Sequence, residues 1–342
     1  MKRIVPVGLV LWGMCLLLAM AARLGGGLVP EGAQLAFVAL EDDSTATIYI
    51  LDVRRELVLP LVTGVDRTLS FARDGQLVYS QRVSSDASAV FRMDGLVTQQ
   101  LSPEGARDHY PVWSPDGQQV AFIAIDGSQN VLYVMNADGS ERRRLASEDC
   151  PNILTLPQWL PDSRGIIFRY GSPEIRMACV VDSRSGDIWD FSHDTDVHSI
   201  PVWAADGRHI VFAVETLNFA QLYVAALDEH SISGVTRVTD DTLSFNTMPS
   251  WSADGTQIIF ISNRSGNRDV YLMNADGSQL RNLSQSSANE FYPMWSPDGK
   301  EMAFMANAEG RWSITLMRAD GTDARHLIGE MNVRLVSMMW LP

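Results

Sequence analysis

The sequence predicts an all-β fold of the propeller class, and three observations lead to this prediction. One phrase recurs along the chain, most plainly as Tyr-Pro-Met-Trp-Ser-Pro-Asp-Gly at 292–299 and Tyr-Pro-Val-Trp-Ser-Pro-Asp-Gly at 110–117. Its aromatic residue returns every 42 to 48 residues, at Phe71, Trp113, Trp159, Trp203, Trp251, Trp295 and Trp340. Short apolar runs follow each copy. A period of roughly 40–50 residues with strand patterning is typical of propeller blades.

Each repeat predicts a four-stranded antiparallel blade. After one Asp-Gly pair come two apolar runs, at 119–124 and 131–135, and the tight turn Asn-Ala-Asp-Gly-Ser at 136–140. Apolar runs of this length bounded by Asp-Gly are typical of strands joined by hairpins. Glycine suits these turns because it adopts positive φ without steric cost. A single turn aspartate supplies too few oxygens for calcium, so it is interpreted as a turn residue.

The two ends of the chain predict how the ring closes. Residues 30–37 match the start of a repeat but lack its preceding Trp strand, and Trp340 brings a Trp strand with no repeat after it. We expect this last strand to complete the first blade, beside strands near 34–40, 46–53 and 55–61, because such pairing removes open sheet edges. The repeats predict seven blades, or six if one degenerate repeat does not form a sheet. The repeated Trp is expected to fill the space between blades.

The amino terminus predicts export. Residues 1–27 are expected to form a signal peptide or an N-terminal membrane anchor, and residues 28–342 the propeller. Lys2 and Arg3 precede nineteen uncharged residues, 4–22. Ala19-Met20-Ala21 resembles a cleavage site, while nineteen apolar residues are also enough to span a bilayer. Positive charge before the segment predicts a propeller outside the cytoplasm, in the periplasm or at the cell surface.

Charge and cysteine content restrict the partners. The formal net charge is −14, with 41 acidic against 27 basic residues, which argues against nucleic acid because phosphate binding relies on clustered Lys and Arg. Cys150 and Cys179 are expected either to form a disulfide or to be two buried thiols. No Cys-x-x-Cys occurs, so we expect no thiol-based metal or redox site, and no cofactor.

The repeat resembles a known family. The phrase Pro-x-Trp-Ser-Pro-Asp-Gly, then Ala-Phe, then Tyr-Val-Met-Asn-Ala-Asp-Gly-Ser and Arg-x-Leu, is similar to the TolB-like β-propeller repeat, over residues 30–342. The resemblance implies an extracytoplasmic propeller whose relatives mostly bind proteins. The family's namesake has six such blades and a separate N-terminal α/β domain, for which nothing before residue 30 has a counterpart. Its role in an outer-membrane complex is therefore not carried over.

Two groups of enzymes share this repeat. Prolyl-oligopeptidase-type peptidases add a hydrolase domain with a Gly-x-Ser-x-Gly elbow, which this sequence lacks, and only two residues follow Trp340. We therefore expect no peptidase. Oligogalacturonate lyases use His and a divalent metal on the propeller alone, but no His-x-His or His-Glu-x-x-His pattern occurs here. The alternative function is nevertheless a metal-dependent polysaccharide lyase or hydrolase that uses His109, His198 and nearby carboxylates at the channel mouth.

The loops before the Trp strands are expected to converge at one mouth of the central channel. The fifth position before each aromatic predicts a ring of Asp66, Asp108, Leu154, His198, Asn246, Glu290 and Leu335. These polar side chains either cap loops through backbone hydrogen bonds or line an acidic funnel with aromatic walls, suited to a cationic peptide or basic loop. The candidate ligand-binding residues are Asp66, Asp108, His109, Tyr110, His198, Asn246, Glu290 and Tyr292, with no catalytic or metal-binding residue.

The favoured function is thus an exported, non-catalytic propeller that binds a protein or peptide at this mouth. The identity of the partner is not encoded in the repeat. In a third hypothesis the loop residues at the channel mouth bind no ligand, and a partner binds at the outer rim of the propeller.

Overall fold

The computed structural model describes residues 34–41, 45–66, 68–95, 97–145, 153, 155–171, 176–190, 201–216, 218–228, 231–241, 243–331 and 333–341. Strands and turns make up these residues. Within the same ranges there is no helix long and apolar enough to cross a membrane. The predicted signal peptide or anchor, residues 1–27, lies outside them.

The strands fall into sets of four that are consecutive along the chain, except that the last strand belongs to the first set. The first set is β1 (Gln34–Leu40), β2 (Ala46–Asp52), β3 (Leu57–Val65) and the last strand, β28 (Arg334–Trp340). The second is β4 (Ser70–Phe71), β5 (Leu77–Arg82), β6 (Ser88–Asp94) and β7 (Val97–Gln100). The third is β8 (Asp108–Trp113), β9 (Gln119–Asp126), β10 (Gln129–Asn136) and β11 (Arg143–Arg144). The fourth is β12 (Gln158–Trp159), β13 (Gly165–Gly171), β14 (Arg176–Asp182) and β15 (Ile188–Asp190).

Three further sets complete the series. The fifth is β16 (Val202–Trp203), β17 (His209–Glu215), β18 (Ala220–Asp228) and β19 (Ser231–Arg237). The sixth is β20 (Asn246–Trp251), β21 (Gln257–Ser262), β22 (Asp269–Asn274) and β23 (Arg281–Asn282). The seventh is β24 (Asn289–Trp295), β25 (Glu301–Ala308), β26 (Arg311–Arg318) and β27 (Arg325–Met331).

Strand pairing follows the chain within each set. The third to seventh sets are separate four-stranded antiparallel sheets. The first two share one sheet because Val65 of β3 pairs with Gln81 of β5, so the seven-blade count stays a prediction. β28 pairs antiparallel with β1, from Leu35 opposite Trp340 to Leu40 opposite Arg334. This pairing brings together the ends of the described chain, and closure of the complete ring stays a prediction.

The repeated Trp residues lie between neighbouring sheets. Trp251 is buried in a cluster with Val211 of the fifth set and Ile258 of the sixth. Trp295 is buried in the same way between the sixth and seventh sets. The indole Nε1 of Trp251 also donates a hydrogen bond to the carbonyl of Val202, at 3.0 Å. The core therefore consists of layers between blades, with an aromatic ring from each well-preserved repeat.

The Asp-Gly turns share one hydrogen-bonding pattern. In the last copy, Asp298 accepts a bond from the Ser296 hydroxyl at 2.7 Å and from the Lys300 backbone at 3.1 Å, while Gly299 has φ 67°. The bonds from Ser296 and Lys300 lower the pKa of Asp298 to about 2. The turn therefore uses its aspartate as a local acceptor, which is the role expected from the sequence.

Candidate functional site at the leading ends of the first strands

Each set contains one strand that carries the repeated aromatic residue. We call these the first strands, and they are β28, β4, β8, β12, β16, β20 and β24. We call the end where these strands begin the leading end, and the end with the Asp-Gly turns the turn end. Neighbouring first strands contact each other, as β4 does with β8 and β20 with β24. The described candidate residues lie in or beside β3, β8, β20 and β24, at or near the leading end.

Asp108, the first residue of β8, is fully buried, with 0% of its surface exposed. Its carboxylate accepts a hydrogen bond from the Ser102 hydroxyl at 2.8 Å. The guanidinium of Arg142 donates to its other oxygen at 2.9 Å and also lies over the ring of Tyr133. Asp108 therefore links segments of its own and the preceding sheet and presents no atom to a ligand.

Asn246 and Glu290 occupy the equivalent position in their repeats, and both are buried. The amide of Asn246 donates to the carbonyl of Ala220 at 3.0 Å. Glu290 accepts hydrogen bonds from the backbone N–H of Val270 at 2.9 Å and from the Ser286 hydroxyl at 2.8 Å. Burial raises the pKa of Glu290 above its usual value.

These placements favour the capping alternative over an acidic funnel at three of the candidate positions. Asp108, Asn246 and Glu290 bind backbone and side-chain groups inside the protein, which is the capping alternative. The reason is that a strand leaves donors unpaired where it begins, and a buried donor is costly without an acceptor. A direct ligand contact needs exposed atoms, which these three side chains do not offer.

Tyr110 and Tyr292 are exposed by a backbone irregularity that repeats. Pairing is interrupted in β8, β20 and β24 at the same point, three residues before the Trp. The residues there, Tyr110, Met248 and Tyr292, have φ values of 55°, 53° and 50°. Positive φ is uncommon for bulky side chains, and a β-bulge changes the direction of the side chain it carries. The two tyrosines keep 38% and 43% of their surface exposed.

His109 joins parts of three sets. Its Nδ1 donates a hydrogen bond to Oδ2 of Asp66 at 3.0 Å, and its Nε2 lies 2.8 Å from the hydroxyl oxygen of Ser88. Both Asp66 and His109 are about one-quarter exposed. Burial raises the pKa of Asp66, but hydrogen bonds from His109 and Ser80 outweigh that effect, so the pKa lies below its usual value. Sequence reasoning missed Ser88 because no motif surrounds it.

The remaining expectations concern metal and cysteine. His198 and Cys150 lie outside the described residues, while Cys179 is buried. Over the described ranges, no group of three or more His, Cys, Asp and Glu side chains could hold a metal ion. Both ring nitrogens of His109 already have hydrogen-bond partners, so binding a metal there would break one of these bonds.

Two further apolar side chains lie exposed at the leading end. Leu243 has 83% and Phe245 has 39% of its surface exposed, just before β20. Sequence reasoning passed over both because they belong to a loop outside the repeated phrase. Together with the tyrosines they make the leading end apolar as well as polar.

Comparison with known proteins now identifies the family. A model of the TolB beta propeller domain matches residues 157–333, just over half of the chain. The chain belongs to the TolB beta propeller domain family. The TolB-like resemblance stated from the repeat is thereby confirmed.

Curated relatives of this TolB-family chain match it over short segments. The uncharacterized peptidase YuxL of Bacillus subtilis is 41% identical over 58 residues, 17% of this chain and 8% of that protein. The Tol-Pal system protein TolB of Thioalkalivibrio sulfidiphilus is 43% identical over 37 residues, 11% of this chain and 8% of that protein. The match thus spans less than a tenth of either relative.

Solved structures show the same fold. The propeller domain of the Trilobed protease from Pyrococcus furiosus has a TM-score of 0.64 and 11% identity, covering 88% of this chain and 94% of that one. TolB from Acinetobacter baumannii has a TM-score of 0.56 and 18% identity, covering 90% and 82%. At these identities the likeness concerns the fold alone. The prediction of an all-β propeller of four-stranded antiparallel sheets is confirmed.

Proposed function

We propose that this TolB-family propeller binds a protein or peptide at the leading end of its first strands. The observation that carries the proposal is the repeated bulge that leaves Tyr110 and Tyr292 exposed with positive φ. A left-handed backbone costs about 1–2 kcal/mol for a residue with a side chain. Such strain concentrates at functional positions, where the surrounding structure maintains it.

The chemistry of the leading end suits a protein partner with apolar side chains. Tyrosine combines a large ring with a polar hydroxyl, and for this reason it is enriched at protein interfaces. Leu243 and Phe245 add exposed apolar surface at the same end. Asp66 adds a partly exposed carboxylate whose lowered pKa keeps it ionised near neutral pH. The partner we propose is therefore held mainly by aromatic and apolar contacts, with one acidic contact.

The relatives and the amino-terminal sequence support a role outside the cytoplasm. Two of the relatives are Tol-Pal system proteins, from Thioalkalivibrio sulfidiphilus and Anaeromyxobacter dehalogenans. The uncharged run 4–22 after Lys2 and Arg3 is typical of an exported chain. Extracytoplasmic location, with residues 1–27 as signal peptide or anchor, belongs to the same proposal.

The test is an in-cell crosslinking capture with the tagged full-length protein and a Tyr110→Asn/Tyr292→Asn variant. Asparagine is chosen because it tolerates positive φ, so the bulges are kept while the rings are removed. Leu280→Asn is the matched control, since Leu280 is similarly exposed but follows a turn at the turn end. Substitution of Asp108 or Glu290 by lysine does not test partner binding. Both side chains are buried, so lysine would place an unpaired charge in the interior and destabilise the fold.

We expect wild type and Leu280→Asn to capture the same partner, and the double tyrosine variant to lose it. Equal capture by all three proteins would contradict binding at the leading end. Circular dichroism and thermal unfolding of the three proteins show whether each is folded, so that loss of capture can be assigned to the surface.

A further inference from the structure

We propose that Ser88, His109 and Asp66 form an acyl-transfer centre that hydrolyses small esters whose acyl group carries an anion. The Ser88 hydroxyl oxygen lies 2.8 Å from Nε2 of His109, and Nδ1 of His109 lies 3.0 Å from Oδ2 of Asp66. A nucleophile within hydrogen-bond reach of a base, with the base oriented by a third group, is the arrangement that activates a serine. This activity is additional to partner binding.

The three residues are held by sheet backbone from three sets. Ser88 begins β6, and its N–H donates to the carbonyl of Ala106 at 3.0 Å. Asp66 follows β3, and its N–H donates to the carbonyl of Ser80 at 2.8 Å. His109 lies in β8, next to the bulge at Tyr110. Sites on paired strands keep their geometry better than sites on free loops.

The hydrogen bonds determine which atoms of Asp66 and His109 carry a proton. Hydrogen bonds from His109 and Ser80 hold the pKa of Asp66 below its usual value despite burial, so its carboxylate is ionised and acts only as an acceptor. Nδ1 of His109 must therefore carry the proton that Asp66 accepts. In the neutral ring this leaves Nε2 free to accept a proton, and Nε2 faces the Ser88 hydroxyl.

Arg82 indicates the class of substrate. It lies directly opposite Ser88 in the β5–β6 pairing, and residues directly opposite point to the same face of a sheet. It is exposed and close enough to Asp66 to lower the pKa of that carboxyl. A guanidinium beside the nucleophile can bind a carboxylate of the substrate. Because Ser88 is only 4% exposed, the acyl group must be slender.

The reaction balances without an oxidant or metal. Ser88 Oγ attacks the ester carbonyl as its proton passes to Nε2 of His109, the ester C–O bond breaks, and the leaving alcohol takes that proton. Water then attacks the acyl-serine, giving its proton to Nε2. The Oγ–acyl bond breaks, Ser88 regains its proton, and the carboxylic acid leaves.

The first measurement is labelling of the folded full-length protein with a fluorophosphonate probe that carries only short alkyl groups, in keeping with the slender acyl group, followed by mass spectrometry of the peptides. We expect the label on Ser88. It should disappear in Ser88→Ala and persist in Ser85→Ala, the matched control, since Ser85 is an exposed serine in the preceding loop. A folded wild type without label on Ser88 would overturn the proposal, and this result does not depend on any variant.

Hydrolysis of two nitrophenyl esters tests the base and the substrate class. With 4-nitrophenyl hemisuccinate, His109→Gln should lower kcat by about 10²-fold or more, as expected on losing a general base. Arg82→Gln should raise KM for the hemisuccinate by a larger factor than KM for the neutral 4-nitrophenyl acetate, because only the hemisuccinate carries the carboxylate that Arg82 would bind. An equal effect of Arg82→Gln on both esters would overturn the role of Arg82. Hydrolysis that is the same in wild type and Ser88→Ala would overturn the centre itself.

Discussion

Trp251 and Trp295 occupy the same position in successive repeats and differ by one hydrogen bond. Both are buried between sheets. The indole N–H of Trp251 donates to the carbonyl of Val202 at 3.0 Å, whereas that of Trp295 has no acceptor in the described part of the chain. The ring fills space in both cases, but only one ring also ties two blades together through a polar contact.

Substitution of each Trp should separate packing from hydrogen bonding. Trp251→Ala and Trp295→Ala should each lower the free energy of unfolding by about 3–5 kcal/mol, as large-to-small core changes do. Trp251→Phe should cost about 1 kcal/mol more than Trp295→Phe, because it also removes one hydrogen bond. Urea midpoints of the four variants measure this. Equal midpoints for the two Phe variants would show that the Val202 contact contributes nothing.

The leading-end carboxylates show where residue-level prediction stops. The position of Asp108 in the repeat was evident from the sequence, and so was its polar character. Its burial was not, because the groups that enclose it, Ser102 and Arg142, precede and follow the repeated phrase. The same applies to Glu290 and its partner Val270, which is twenty residues away. An isolated sequence pattern cannot distinguish a capped carboxylate from an exposed one.

At the scale of the element, turns and bulges use positive φ for different purposes. In the turns the residue is glycine, and the sequence predicted its conformation. In the first strands the residue with positive φ is Tyr110, Met248 or Tyr292, and no turn motif in the sequence predicts this conformation. The bulge arises from pairing between strands, since β8 lacks regular partners on β9 between His109 and Val112. Pairing register is a property of two elements, so a single repeat does not reveal it.

Two glycines of the turns should respond differently to an added methyl group. Gly117 has φ +70° and open space where a Cβ would lie, whereas at Gly277, with φ +85°, a Cβ would lie 2.5 Å from the carbonyl oxygen of Val238. Gly117→Ala should cost about 1–2 kcal/mol for the backbone alone. Gly277→Ala should cost about 1–3 kcal/mol more, because backbone must move.

Thermal unfolding of the two glycine variants measures this difference, with Gly117→Ala as the control for φ. Equal losses of stability would mean that the backbone at Val238 moves away without cost, and that the contact between this turn and the segment after β19 is loose.

At the scale of the whole molecule, β28 joins the last residues of the described chain to the first strand. Leu335, Met338 and Trp340 are buried by this pairing, in a cluster that also holds Leu35 and Phe37 of β1. Burial of each large apolar side chain stabilises by about 1.5–3 kcal/mol. The strand therefore contributes an amount comparable with the whole stability of many domains, which is about 5–15 kcal/mol.

A chain that ends after Met331 should lose this contribution. It would expose the edge of β1, and we expect a lower unfolding temperature together with self-association, because an uncovered edge is a template for further pairing. Thermal unfolding and size-exclusion chromatography measure the two effects, with a chain lacking only Pro342 as the control. An unchanged unfolding temperature and a monomeric elution would show that β28 is dispensable.

The sequence by itself determined the class of fold, the four-stranded repeat, the turn chemistry and the strand that pairs with β1. These depend on period, local residue type and local backbone preference, all of which are present within some forty-five residues. The tertiary structure decided which polar groups are buried, which aromatics the bulges expose, and that Asp66, Ser88 and His109 meet. Those outcomes depend on contacts between strands of different sets, and such contacts exist only once the sheets have packed around one another.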